Sequence, residues 1–215
     1  MDETVFRGWY NRDYLPHFDT NKVPQMVTYR LADALPRDVV KRILNETDPD
    51  DAERYCRFEE MLDAGYGSCV LERPECAEII VENLHYHAGE RYRLLEWVVM
   101  PNHVHVVYDR PTCSLKTLMH GWKSYTSNEI KKRLSTFGDG ESLWQAGFHD
   151  RYARDADHLK NMQGYVFFNP VKPGLVSDPF DWPYSSVHNH TAYRGSIMRW
   201  WRDKKERFWR HGRGD

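Results

Sequence analysis

The chain has 215 residues, room for one sizeable core with appendages but too few for a multidomain assembly. Hydrophobic residues make up 40% and charged residues 29%, with both signs interleaved, so the sequence should fold. No run approaches roughly eighteen apolar residues and the start, MDETVFRGWYNRDY, has no basic segment leading into an apolar one, so neither membrane insertion nor secretion by a standard signal is expected.

The net charge of −2 conceals an asymmetry: residues 1–90 carry 10 Lys+Arg against 19 Asp+Glu, and residues 91–215 carry 20 against 13. The basic C-terminal part is a candidate phosphate-binding face, or a set of solvated charges clustered by chance. Cys56, Cys69, Cys76 and Cys113 form no CxxC pair, which fits free thiols in a reducing cytoplasm better than a zinc clamp.

In chain order, residues 1–24 hold Gly8, Pro16 and Pro24 without a sustained period and read as an irregular arm. Gln25 to Leu31 alternates with a period of two, the mark of a half-buried strand. Pro36 suits a helix start, and helical spacing through Val39, Val40, Ile43 and Leu44 lasts until Asp48-Pro49-Asp50. A second helix is expected over 51–64, closed by Gly65 and Gly67, and a third from Pro74, with Ala77, Ile80, Val81 and Leu84 on one face, ending before Gly89.

From Arg91 the character changes. Tyr92 to Met100 and His103 to Tyr108 are rich in aromatic and β-branched residues and flank Pro101-Asn102, which predicts a hairpin near the middle of a sheet. Ser114 can cap a basic helix running to Leu134, with Lys116, Lys123, Lys131, Lys132 and Arg133 exposed along it. Residues 138–147 form a loop, Phe148 to Ala153 a short strand, and Asp155 or Asp157 can cap a helix that Pro170 must end. Residues 196–215 hold seven Lys+Arg, three acids and four aromatics, which reads as a basic, aromatic helical tail.

Three histidine pairs are separated by one residue: His85 and His87, His103 and His105, His188 and His190. Chance alone would supply about half of one such pair, so local geometry must distinguish them. At a helix end, residues two apart point about 200° away from each other, so His85 and His87 cannot converge on one ion. In a strand, residues two apart share a face, so His103 and His105 project together while Val104 turns away, the arrangement a two-imidazole metal site requires, with ordinary surface or hydrogen-bonded histidines as the alternative. His188 and His190 lie in polar coil, where geometry does not decide. Tyr165 and Asn169 are four apart and share a helix face just before Pro170, where packing and capping are the ordinary alternatives to catalysis.

The strings VVMPNHVHVV (98–107), GWKSYTSNEI (121–130), LWQAGFHDRYARD (143–155), YVFFNPVKPGLV (165–176) and DWPYSS (181–186) resemble, in order, the REP-associated tyrosine transposases of the HUH superfamily. QMVTYRLADALP (25–36) and LDAGYGSCVLERPE (62–75) are also similar, so the resemblance covers roughly residues 10–190. It departs from the pattern at YVFFNPV, where Phe167 and Phe168 stand in place of polar or charged residues.

The resemblance implies an α+β fold, a ferredoxin-like antiparallel sheet of four to five strands with helices packed on it, as in HUH endonucleases. It divides the chain into an arm (1–24), a catalytic domain (25–190) and a tail (191–215). His103 and His105 match the His-hydrophobic-His metal motif, Asn169 the third ligand and Tyr165 the nucleophile, with Mg²⁺ or Mn²⁺ as cofactor. The implied activity is cleavage and rejoining of single-stranded, hairpin-forming DNA through a 5′-phosphotyrosine, by a monomer in the cytoplasm associated with the nucleoid. Trp122, Lys123, Arg151 and Arg154 are the candidates for gripping the strand, since single strands follow basic grooves and stack on aromatics, with core packing the ordinary alternative for Trp122 and a solvated face for the lysine. Two other readings are a hairpin-binding module without chemistry and a metal-dependent nuclease that uses water.

Overall fold

The computed structural model describes residues 5–12, 15–47, 52–134, 137–138 and 140–210; the expected break at 48–50 and the last five residues of the tail lie outside them. The central sheet has four strands, β3 (Gln25–Arg30), β4 (Arg93–Val99), β5 (His103–Asp109) and β6 (His149–Tyr152), in the order β4-β5-β3-β6 with every pair antiparallel. Helices α1 (Arg37–Glu46), α2 (Ala52–Asp63) and α3 (Pro74–Tyr86) lie between β3 and β4, and α4 (Leu115–Arg133) lies between β5 and β6. That succession, strand, helices, two strands, helix, strand, is the ferredoxin-like arrangement, and the expected α+β class holds.

Three helices start where their sequence signals stand. The Ser114 hydroxyl accepts from Thr117 N at the head of α4, and Asp155 Oδ1 accepts from His158 N at 2.7 Å at the head of α5 (Ala156–Phe168). Pro74 occupies the first turn of α3, where its missing N–H costs nothing.

The two faces of the sheet have different occupants because alternate residues point to opposite sides. One face, with Val27, Tyr29, Val99, Val104, Val106 and Tyr108, joins the main core with Ile80 and Leu84 of α3 and Leu118 and Trp122 of α4. The other carries Met26, Val98, Met100 and Val107, against which α5 sets Met162 and Val166. His103 and His105 are in register with Arg30 and Thr28 of β3, and so lie on the α5 side.

Two expectations need correction. The segment 1–24 is not irregular throughout: β1 (Gly8–Arg12) pairs antiparallel with β2 (Leu15–Asp19), with Trp9 against Phe18 at 4.9 Å and Tyr10 against His17 at 5.2 Å. Cross-strand aromatic pairs hold this hairpin together. Asp150 of β6 ties it to the sheet by accepting from Phe18 N at 2.9 Å and bonding His17 Nδ1. Also, only β5 of the central hairpin is interior; β4 is an edge strand, covered by the chain after α5, whose Tyr184 carbonyl accepts from Val99 N at 2.9 Å and whose Ser186 hydroxyl accepts from Trp97 N at 2.9 Å.

The tail forms a helix, α6 (Arg194–Arg210), that packs on α5. Trp201 stacks on Phe168 at 4.2 Å with the rings 5° from parallel, and the Trp200 ring sits where a Cβ on Gly164 would collide with it. Phe167 and Phe168, the departure from the family pattern, thus form the seat for the tail helix. Among the described residues no helix is long and apolar enough to cross a membrane.

Candidate active site

His103 and His105 are fully buried on β5, with ring centroids 4.7 Å apart and nearly perpendicular planes. Each Nδ1 is engaged: His103 Nδ1 meets Asn102 Oδ1 at 2.7 Å, and His105 Nδ1 meets Thr28 Oγ1 at 2.8 Å. Asn102 is itself fixed, because its Nδ2 donates to the carbonyls of Leu62 (3.2 Å) and Tyr66 (3.1 Å), which turns its oxygen to the imidazole. His103 therefore carries its proton on Nδ1 and leaves a lone pair on Nε2. Both Nε2 atoms are buried without a hydrogen-bond partner, an arrangement that calls for a ligand.

Burial holds both imidazoles neutral. It drives the His103 pKa down to about 3, helped by His105 and opposed by Glu59 and Asn169, and the His105 pKa down to about 3 as well, helped by Lys172. Neutral imidazoles are the form that donates to a metal.

Helix α5 brings the second pair of residues. The ring of Tyr165 lies edge-on to His105, centroid to centroid 5.2 Å, and is half-buried. Asn169, at the end of the helix before Pro170, is 1% exposed, and neither of its amide atoms completes a hydrogen bond, although the amide lies by His103. All four expected residues, His103, His105, Tyr165 and Asn169, thus gather on the α5 side of β5.

The structure adds a fifth. Glu59 of α2 is 3% exposed, accepts the hydrogen bond of the Tyr165 hydroxyl, and places the same oxygen, Oε2, 3.6 Å from His105 Nε2. Donor atoms of Glu59, His103 and His105 all lie within 4.8 Å of one another, the one group of this kind among the described residues. Sequence reasoning missed it because Glu59 sits in an acidic, apparently solvated helix. The available signal was its place between Phe58 and Leu62, both of which are core residues. One turn on, Asp63 pairs with Lys172 at 2.6 Å; burial pushes the Asp63 pKa up to about 6 despite the lysine.

Two buried imidazole Nε2 atoms without hydrogen-bond partners, a buried unsatisfied amide and a carboxylate form a mixed nitrogen and oxygen donor set. It fits a divalent cation.

The four strand-gripping candidates are scattered. Trp122 is 1% exposed, with its Nε1 donating to the Tyr92 hydroxyl at 3.0 Å, so it is a core residue that no base can reach. Lys123 turns inward, its ammonium donating to the carbonyls of Gln145 (2.8 Å) and Gly147 (2.6 Å), where it anchors the loop before β6. Arg151 on β6 and Arg154 before α5 are exposed, Arg154 leaning on His158 at 3.3 Å. Arg151 is in register with Met26, on the same side of the sheet as the histidines.

Residues 71–167, a little under half of the chain, match the model of a family described as Transposase IS200 like. The match takes in His103, His105 and Tyr165 and ends before Asn169. The chain is similar to a REP-associated tyrosine transposase of Escherichia coli (strain K12), 30% identical over 103 residues that cover 47% of this chain and 58% of that protein. It is similar as well to a protein named as a putative REP-associated tyrosine transposase in Haemophilus influenzae (strain ATCC 51907 / DSM 11121 / KW20 / Rd), 32% identical over 104 residues, 42% of this chain and 56% of that one. The chain thus spans a little over half the length of these curated relatives. A solved structure of a REP-associated tyrosine transposase bound to a REP hairpin aligns over 85% of this chain and 84% of its own, with a TM-score of 0.48 and 18% identity.

Proposed function

We propose that this chain, whose sequence resembles the REP-associated tyrosine transposases, cleaves and rejoins single-stranded DNA that folds into hairpins, through a covalent bond to Tyr165. The observation that carries the reading is the convergence of a phenol with two buried imidazoles whose Nε2 atoms lack partners. The similarity to curated REP-associated transposases supports hairpin DNA as the substrate class.

Each residue has a task that its placement suits. His103, His105 and Asn169 would hold a divalent cation, Mg²⁺ or Mn²⁺. When bound, that ion would neutralise charge on the scissile phosphate and on the departing oxygen. Asn102 and Thr28 keep the two imidazoles turned with Nε2 outward, and burial keeps them neutral. Tyr165 Oη attacks phosphorus, the P–O3′ bond breaks, and the chain carries a 5′-phosphotyrosine while the other strand end leaves as a 3′-hydroxyl. The proton lost by the phenol balances the one taken up by the 3′ oxygen. Because the phosphotyrosine conserves the bond energy, attack by another 3′-hydroxyl reverses the step without ATP. Arg151 and Arg154, on exposed ground near α5, serve the DNA backbone, and one chain acts alone.

Hairpin DNA labelled at its 3′ end, incubated with the protein and Mn²⁺ and run on a denaturing gel, tests the reading. A protein-bound label is the expected result. A free nicked strand would indicate a hydrolase instead, and DNA shifted only on a native gel would indicate a binding module.

A further inference from the structure

Glu59 belongs to none of the motifs that suggest the cation centre, and residues 71–167, the matched stretch, leave it out. It nevertheless sits inside the centre. We infer that Glu59 is an additional, anionic ligand of the cation, and that the cation and the Tyr165 hydroxyl compete for its Oε2. The inference rests on the cation centre proposed above.

Three observations carry it. The carboxylate is buried to 3% exposure, and burying a carboxylate is costly unless something nearby answers its charge. What touches it is a phenol, which donates to Oε2, and the His105 ring, whose Nε2 lies 3.6 Å from the same oxygen, while the Lys172 ammonium, which acts on Glu59 through space, is already paired with Asp63 at 2.6 Å. The donor atoms of Glu59, His103 and His105 fit within 4.8 Å of one another, a span that one ion can bridge, while both Nε2 atoms lack partners. Two imidazoles and an amide are neutral ligands; a carboxylate oxygen in their midst supplies the negative charge that would retain a divalent ion before any phosphate arrives.

The competition follows from Oε2 serving both neighbours. An oxygen that coordinates a cation loses electron density for the phenol's hydrogen bond, so cation binding releases the Tyr165 hydroxyl towards the DNA. By the same competition, removing the hydroxyl must strengthen cation binding. Glu59 would then keep the nucleophile occupied until the centre is loaded.

Calorimetric titration of the full chain with Mn²⁺ alone, without DNA, tests this. Glu59→Gln should weaken Mn²⁺ on the order of 10–100-fold or more; Tyr165→Phe should tighten it several-fold, and His103→Ala should abolish it. Unchanged affinity in Glu59→Gln, with His103→Ala lost, overturns the ligand assignment and leaves the centre standing. Unchanged or weaker affinity in Tyr165→Phe overturns the competition. Mn²⁺ binding that is absent, or indifferent to His103→Ala, overturns the centre itself and this inference with it. If Glu59→Gln melts early in EDTA, Glu59→Asp carries the test: it keeps the charge but withdraws it by one methylene, so weakening supports ligation and unchanged affinity overturns it.

Discussion

Asn102 and His103 are neighbours in sequence whose side chains bond to each other at 2.7 Å, and the amide is locked in that orientation by the carbonyls of Leu62 and Tyr66. The bond presents His103 Nε2 as a lone-pair donor and links the orientation of a candidate metal ligand to the end of α2. Asn102→Ala should therefore weaken Mn²⁺ by about 10–100-fold. It should also cost about 1–3 kcal/mol of stability, because the buried Nδ1 of His103 loses its partner. Thr28→Val, which keeps the shape but removes the partner of His105 Nδ1, should weaken the metal with a smaller change in melting temperature. Calorimetry and thermal melting measure both; a metal affinity indifferent to either change would contradict the orienting role.

The two imidazoles also set a pH dependence. With folded pKa values near 3, they stay neutral throughout mild acid, so protons should not displace Mn²⁺ between pH 7.5 and 5.5. Imidazoles titrating near 6.5 would each lose about tenfold by pH 5.5. Stability should behave differently. Because the folded values are depressed, the unfolded chain takes up the protons first, and stability is lost as pH falls from about 6.5 towards 3, at about 1.4 kcal/mol per pH unit for each histidine. Asp63, raised to about 6 when folded, opposes this with one proton below that pH. Melting below pH 6.5 should thus fall off while metal affinity, titrated calorimetrically where the protein remains folded, stays nearly flat.

The contact between α5 and α6 leaves no room at Gly164. Gly164→Ala drives a methyl into the Trp200 ring, and the expected cost is about 1–3 kcal/mol, read as a lower melting temperature. In a Trp200→Ala background the same substitution should cost much less, since the partner it strikes is gone. Equal costs in the two backgrounds would contradict the packing described.

The expected readers of DNA separate into two kinds. Lys123→Ala removes the donor to the Gln145 and Gly147 carbonyls and should lower stability while leaving the salt dependence of hairpin binding unchanged. Arg151→Ala should weaken binding and reduce the slope of log affinity against log salt by about one. Melting curves and binding titrations at several salt concentrations check both.

Much of this was legible in the sequence because it is local. The alternation in 103–109, the caps Ser114 and Asp155 and the stop at Pro170 fix a strand and two helices within a few residues, and strand geometry alone puts His103 and His105 on one face. What escaped depends on contacts between distant segments. The β1–β2 hairpin was hidden by Pro16 and by aromatics whose partners lie across the turn. Trp122 could be read either as a stacking platform or as core packing, because helical periodicity does not reveal what covers a face; here Tyr29, Tyr92 and Tyr108 surround it and the core reading holds. Glu59 meets Tyr165 across 106 positions, a relationship that no periodicity encodes.

The most direct test is the mass of the protein after incubation with Mn²⁺ and a single-stranded oligonucleotide that forms a hairpin, followed by peptide mapping. The account predicts a species heavier by the 3′-side fragment, with the added mass mapping to Tyr165 and absent from Tyr165→Phe. Cleavage that persists in Tyr165→Phe, or an adduct on another residue, would contradict it.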